Sequence, residues 1–164
     1  MAYRNSVSEP LEVTVGKLLR QRGLRLAVAE SCTGGLIGHL ITNVPGSSTY
    51  YMGSVTAYAY EAKVRLLGVR WETLEKYGAV SKETVLEMAR GVRLALAADI
   101  GLSVSGIAGP GGATPEKPVG LTWIGLSASD ADEAWRFHWP GNRLQVNEQT
   151  ARQALQLLVE FLSE

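Results

Sequence analysis

Five consecutive residues, Ser31-Cys32-Thr33-Gly34-Gly35, bring two hydroxyls, a thiol and two glycines together directly after an apolar run at residues 24–30. Leu36, Ile37, Leu40 and Ile41 then recur at helical spacing, so the polar segment lies where a strand turns into a helix. Open α/β folds bind ligands at such turns, at the carboxyl edge of the sheet. The first N–H groups of a new helix have no internal partner and can hold a phosphate or stabilise an oxyanion. Glycine lets a ligand approach the backbone closely. Ser31 is therefore a candidate nucleophile, with Thr33, Gly34 and Gly35 as substrate-binding candidates. The competing reading is that Ser31 or Thr33 only caps the helix. Cys32 is either a rival nucleophile or a small packing residue.

A serine needs a neighbour to take its proton. The two histidines, His39 and His138, are poorly placed for a Ser–His–Asp triad: one sits inside the first helix after a strand, the other near the C-terminus. Lys63 can serve instead if burial lowers its pKa, with Tyr58 relaying a proton or donating a hydrogen bond. The alternative is a solvated lysine and a packed tyrosine. A third segment, Gly106-Ile107-Ala108-Gly109-Pro110-Gly111-Gly112, is followed by Lys117-Pro118-Val119-Gly120. Gly109, Gly111 and Gly112 could wrap an anion with their N–H groups, and Lys117 could add charge. The spacing fits neither a Walker loop nor a dinucleotide fingerprint, and a plain surface loop is the competing reading. Metal-ligand spacings are missing, so no metal and no cofactor is expected.

The elements that must position these residues follow from periodicity. Leu11, Val15, Leu18 and Leu19 mark an amphipathic helix that begins near Pro10 and stops at Gly23. Strands are expected at residues 24–30, 50–60, 101–105 and 119–128, with 134–139 as an antiparallel neighbour of the last. Short helices are expected at 61–67 and 71–77. A longer helix capped by Ser81 has Val85, Met88, Ala89, Val92 and Leu96 on its buried face. Asn142 is expected to cap a final helix whose core face carries Ala151, Ala154, Leu155, Leu158 and Phe161. Residues 43–48 and 106–118 read as loops, and residues 1–8 as a frayed or docking terminus. The four tryptophans, Trp71, Trp123, Trp135 and Trp139, are read as core, with stacking on an aromatic ring open to one of them. Helices and strands alternate early and a hairpin comes late, which predicts one mixed sheet covered on both faces.

With 164 residues the chain is the size of one domain, expected to span 1–164. Lys plus Arg and Asp plus Glu both count 16, and no basic stripe is visible, which argues against a duplex nucleic-acid partner. A single cysteine rules out an internal disulfide and fits a reducing cytoplasm. Neither a signal peptide nor a membrane-spanning run is evident, so a soluble protein without a membrane partner is expected.

Read together, the motif segments resemble the CinA C-terminal domain family of nicotinamide-nucleotide amidohydrolases. The resemblance runs in order over residues 10–162. It rests on Ala29-Glu30-Ser31-Cys32-Thr33-Gly34-Gly35, Pro45-Gly46-Ser47-Ser48, Tyr58, Glu61-Ala62-Lys63, Leu66-Leu67-Gly68-Val69 and Gly78-Ala79-Val80-Ser81, together with the two glycine-rich segments above. It implies a three-layer α/β/α sandwich around one mixed, mostly parallel sheet. It also implies hydrolysis of nicotinamide mononucleotide to nicotinic acid mononucleotide and ammonia, with Ser31, Tyr58 and Lys63 as the catalytic set. The ribose phosphate is expected on backbone amides of a glycine-rich segment, with Lys117 or Arg143 adding charge, and the resemblance implies a homo-oligomer, a dimer before other states. Two positions depart from the family pattern. Ala59-Tyr60 stands where Ser-Asn is usual, and Gly141-Asn142-Arg143 where Gly-Asp-Arg is usual. These departures keep two alternatives open, a non-catalytic nucleotide-binding module and an amidohydrolase for another amide.

Overall fold

Alternation along one central strand, Leu26–Glu30 (β1), divides the molecule into layers. Leu26 and Val28 point into a large apolar cluster, and Ala27 and Ala29 into a second cluster on the opposite face. The computed structural model describes residues 8–164, so the terminus expected at 1–8 lies outside the described residues apart from Ser8. The helices Leu11–Arg22 (α1), Leu36–Thr42 (α2) and Arg143–Ser163 (α6) supply the first cluster. Tyr60–Leu67 (α3), Trp71–Tyr77 (α4) and Lys82–Ala95 (α5) cover the other face. The result is the three-layer α/β/α sandwich expected.

The remaining strands are Tyr51–Thr56 (β2), Ile100–Gly106 (β3), Leu121–Ser127 (β4) and Asp132–His138 (β5), and the spatial order is β2-β1-β3-β4-β5. β1 is parallel to both β2 and β3, whereas β4 is antiparallel to β3 and β5. Only β4 is reversed, so four of the five strands run the same way. The chain leaves β1 to one side through α2 and returns to its other side through α3, α4 and α5. The β1–β3 crevice is therefore a topological switch point, where the fold opens to ligands.

Three strands are shorter than expected: β4 spans Leu121–Ser127 within 119–128, and β1 and β2 are cut short as well. Leu24 gives its N–H to the Leu19 carbonyl (3.0 Å) across left-handed Gly23, so it closes α1 and β1 begins at Leu26. β2 ends at Thr56, not residue 60: Ala57 donates the last bond to the Glu30 carbonyl (2.9 Å), and the chain then turns into α3.

Small residues let α5 lie directly on the sheet. A side chain at Gly101 would overlap the Ala89 carbonyl, and one at Gly125 would stand 2.6 Å from the Val85 carbonyl oxygen. Ser103 donates its hydroxyl to that same Val85 oxygen at 2.6 Å. Because the obstruction at Gly101 is backbone, no rotamer change relieves it. Gly101→Val should therefore exceed the usual cost of overpacking and destabilise by about 3 kcal/mol or more, a melting point lower by about 6 °C or more. Circular dichroism melts check this, and a change within about 2 °C would refute close packing of α5 on β3.

Candidate active site

Ser31 follows the last residue of β1, and Lys63 lies on the buried side of α3 one turn before Leu67. Lys63 is fully buried, and its Nζ donates to Ser31 Oγ at 2.8 Å. Two carbonyls hold the amine in place, Ala57 at 2.8 Å and Tyr58 at 3.1 Å. Both belong to the turn that ends β2 early. No carboxylate forms an ion pair with Lys63 among the described residues. Burial without a countercharge lowers its pKa from 10.5 to about 8. About one amine in ten is then neutral at pH 7, ready to accept a proton from a hydroxyl already in contact with it.

The turn carrying Ser31 is anchored from the opposite face. Glu30, fully buried, directs its carboxylate to the start of α2. Oε1 accepts the Thr33 hydroxyl (2.6 Å) and the Ile37 N–H (2.9 Å), and Oε2 accepts the Gly38 N–H (3.0 Å). Gly35, at the N-cap position, offers no side chain, so Glu30 satisfies the exposed amides and its charge complements the helix dipole. Gly34 and Gly35 adopt φ of 61° and 109°, which makes this tight turn a glycine turn. Alternation thus sends Glu30 to α2 and leaves Ser31 facing Lys63.

A cavity of about 230 Å³ opens over this pair at the carboxyl ends of β1 and β3. Gly109, Gly111 and Gly112 form part of its wall, as do Tyr58 and Arg143. The Tyr58 side chain is largely exposed, and its hydroxyl accepts from the Arg143 guanidinium at 2.8 Å. Arg143 also donates to the Gly109 carbonyl at 2.8 Å, tying the mouth of the cavity together. Arg143 is the first residue of α6, and Asn142 caps that helix: its side chain accepts the Gln145 N–H at 3.0 Å while Gln145 accepts the Asn142 N–H at 2.9 Å.

Thr33, Gly34, Gly35 and Lys117 stand apart from the cavity wall. Thr33 spends its hydroxyl on Glu30, and Gly34 and Gly35 shape the turn. Lys117 donates to the Tyr77 carbonyl and lines an adjoining cavity of about 550 Å³. Tyr60 lines that second cavity too, and its hydroxyl accepts the Ala79 N–H at 3.3 Å. Cys32 lines the serine–lysine cavity, and burial pushes its thiol up to about 12, so it is protonated at neutral pH. Two site residues escaped the sequence reading. A charge ending an apolar strand was the available signal for Glu30; for Ser105, in the cavity wall, it was a second small hydroxyl two residues beyond Ser103.

Fold and cavity together define a class: an α/β/α protein with a buried serine–lysine pair at the switch point of its sheet. Residues 8–162 match the model of the CinA C-terminal domain, and the chain belongs to that family. It is 52% identical over 149 residues to a putative competence-damage inducible protein of Halothermothrix orenii, covering 90% of this chain and 36% of that protein. It is 49% identical over 150 residues to a protein of the same description from Moorella thermoacetica, covering 92% and 36%. The chain therefore spans about a third of the length of the curated relatives it matches. Among solved structures it resembles the competence damage-inducible protein A of Klebsiella pneumoniae, with a TM-score of 0.91 at 36% identity, covering 94% of this chain and 96% of that one.

The Glu30 anchor makes its own prediction. Glu30→Gln keeps the shape but turns an amide N–H toward a helix N–H and removes the charge from three hydrogen bonds. It should destabilise by about 2 kcal/mol or more, roughly 4–8 °C in melting point. Thermal melts that match the wild type would show that the carboxylate does not hold the turn.

Proposed function

We propose that this chain hydrolyses the carboxamide of nicotinamide mononucleotide, giving nicotinic acid mononucleotide and ammonia. The observation that carries the reading is the buried Lys63 amine, 2.8 Å from Ser31 Oγ and free of any carboxylate partner among the described residues. Ser31 Oγ bonds to the carbonyl carbon as its proton passes to Lys63. Gly34 spends its N–H on the Ser31 carbonyl (3.1 Å). The N–H groups of Cys32 and Thr33 donate to no backbone carbonyl among the described residues and lie beside the Cys32 sulfur, and they are the amides this turn can offer the oxyanion. Lys63 returns the proton to the nitrogen, the C–N bond breaks and ammonia leaves. Water then adds to the acyl-enzyme, giving one proton to Lys63, which restores it to Ser31 as the acid departs.

Arg143 supplies the cation at the cavity mouth for the phosphate, and Tyr58 holds that guanidinium in place. The neighbouring cavity walled by Tyr60 supports a second reading, an amide larger than the mononucleotide. A panel of amides scored by ammonia release separates the two.

Ser31→Ala should cut ammonia release from nicotinamide mononucleotide by about 10³-fold or more and leave the melting point close to wild type. Full activity in that variant would remove Ser31 from the chemistry. The base must be neutral, so kcat/KM should climb about tenfold per pH unit below 8 and level off above it, as Lys63 loses its proton near 8. A profile flat from pH 6 to 9 would rule out the lysine as base.

A further inference from the structure

The cavity over Ser31 is small for a nucleotide. Its volume of about 230 Å³ falls below the roughly 300–1,000 Å³ usual for a small-molecule site. Directly beside it lies the cavity of about 550 Å³, and Ala79, Val80, Ile107 and Gly112 wall both. A ligand with its amide at Ser31 therefore has room to continue past this shared wall.

Two side chains give the larger cavity a chemistry of its own. Tyr60, at the start of α3, is 41% exposed, so its ring is left out of the core. Its hydroxyl accepts the Ala79 N–H, which holds the ring at both ends as a platform on which a flat base can stack. Lys117 stands next to that platform: a side-chain carbon at Gly78 would lie 3.0 Å from Lys117 Nζ and 3.9 Å from the Tyr60 hydroxyl. The amine gives one N–H to the Tyr77 carbonyl, and no carboxylate forms an ion pair with it among the described residues. Arg143, in the smaller cavity, is likewise without a carboxylate partner among them. Each cavity thus presents one uncompensated cation, and Gly112 belongs to the wall of both. A mononucleotide phosphate engages one of these cations, whereas a diphosphate engages both. Glu75 and Glu116 also line the larger cavity, where their carboxylates can accept ribose hydroxyls.

We infer that the larger cavity is a second nucleoside subsite, with Tyr60 stacking on the base and Lys117 meeting the second phosphate, so that the chain also deamidates a nicotinamide dinucleotide. The inference rests on the amidohydrolase reading above and gives its larger amide a chemical class. The covalent chemistry at Ser31 is the same. Water replaces ammonia at the carbonyl carbon, one C–N bond breaks and one C–O bond forms, and the diphosphate linkage stays intact.

The test reads binding and turnover separately, with nicotinamide mononucleotide and nicotinamide adenine dinucleotide as the two probes. Calorimetry on Ser31→Ala should show the dinucleotide bound about tenfold or more tighter than the mononucleotide. Adding Tyr60→Ala should weaken dinucleotide binding by about 10- to 100-fold, and Lys117→Met by about tenfold. Tyr60→Phe keeps the ring and loses the bond to Ala79, and it should hold dinucleotide affinity to within about threefold. With Ser31 in place, ammonia should be released from both probes. Equal affinities, a preference untouched by Tyr60→Ala or by Lys117→Met, or ammonia from the mononucleotide alone overturns the inference. Ammonia from neither probe, or turnover that survives in Ser31→Ala, instead overturns the underlying reading, while the calorimetry still decides the subsite.

Discussion

A lysine amine buried without a carboxylate beside it among the described residues is the constraint around which this molecule is arranged. A buried ammonium is expensive, and a protein normally relieves it with a countercharge or with neutralisation. Lys63 has two backbone carbonyls and the Ser31 hydroxyl instead, which hold the nitrogen in place without restoring its charge. An acidic partner would make the amine a better cation and a poorer base. Glu30 is the nearest acidic residue in sequence to Ser31, yet strand alternation commits it to the α2 side of the sheet. One pleat therefore separates a structural carboxylate from a chemical amine.

The rest of the fold serves that separation. The glycines and serines under α5 bring the helix down onto β3 and β4, and α3 in turn packs on α5, so Lys63 is pressed over the end of β1. Strand ends, not strand middles, frame the candidate site: Ser31 follows β1, the carbonyls of Ala57 and Tyr58 follow β2, Ser105 is the penultimate residue of β3 and Arg143 follows β5. Four parallel strand directions bring these ends to one edge.

The two departures from the family pattern have different physical meanings. Asn142 keeps the role an aspartate would have there, because a side-chain oxygen is what a helix N-cap requires, and it makes a reciprocal pair with Gln145. Tyr60 is different. Its ring stands on the wall of the adjoining cavity, and its hydroxyl is engaged with the 78–80 segment. The substitution alters the shape beside the site and leaves the serine–lysine contact untouched.

Periodicity by itself determined the layers: the apolar faces of α1, α5 and α6, the buried run of β1 and the late hairpin are each legible because local spacing encodes which face is covered. The Ser31 turn, the glycine-rich wall and the Asn142 cap were legible for the same reason, since turns and caps are short-range chemistry. Element ends were less so. Hydrogen bonds from distant residues end β2, and the left-handed glycine cap takes Leu24 out of β1. Only the tertiary structure decided which candidates meet. Lys63 is 32 residues from Ser31, and burial alone lowers its pKa, a property no local pattern carries. Lys117, equally plausible by composition, was drawn to the Tyr77 carbonyl and away from the serine–lysine cavity. A residue type fixes what a group can do, but its solvation and its neighbours belong to the packed fold.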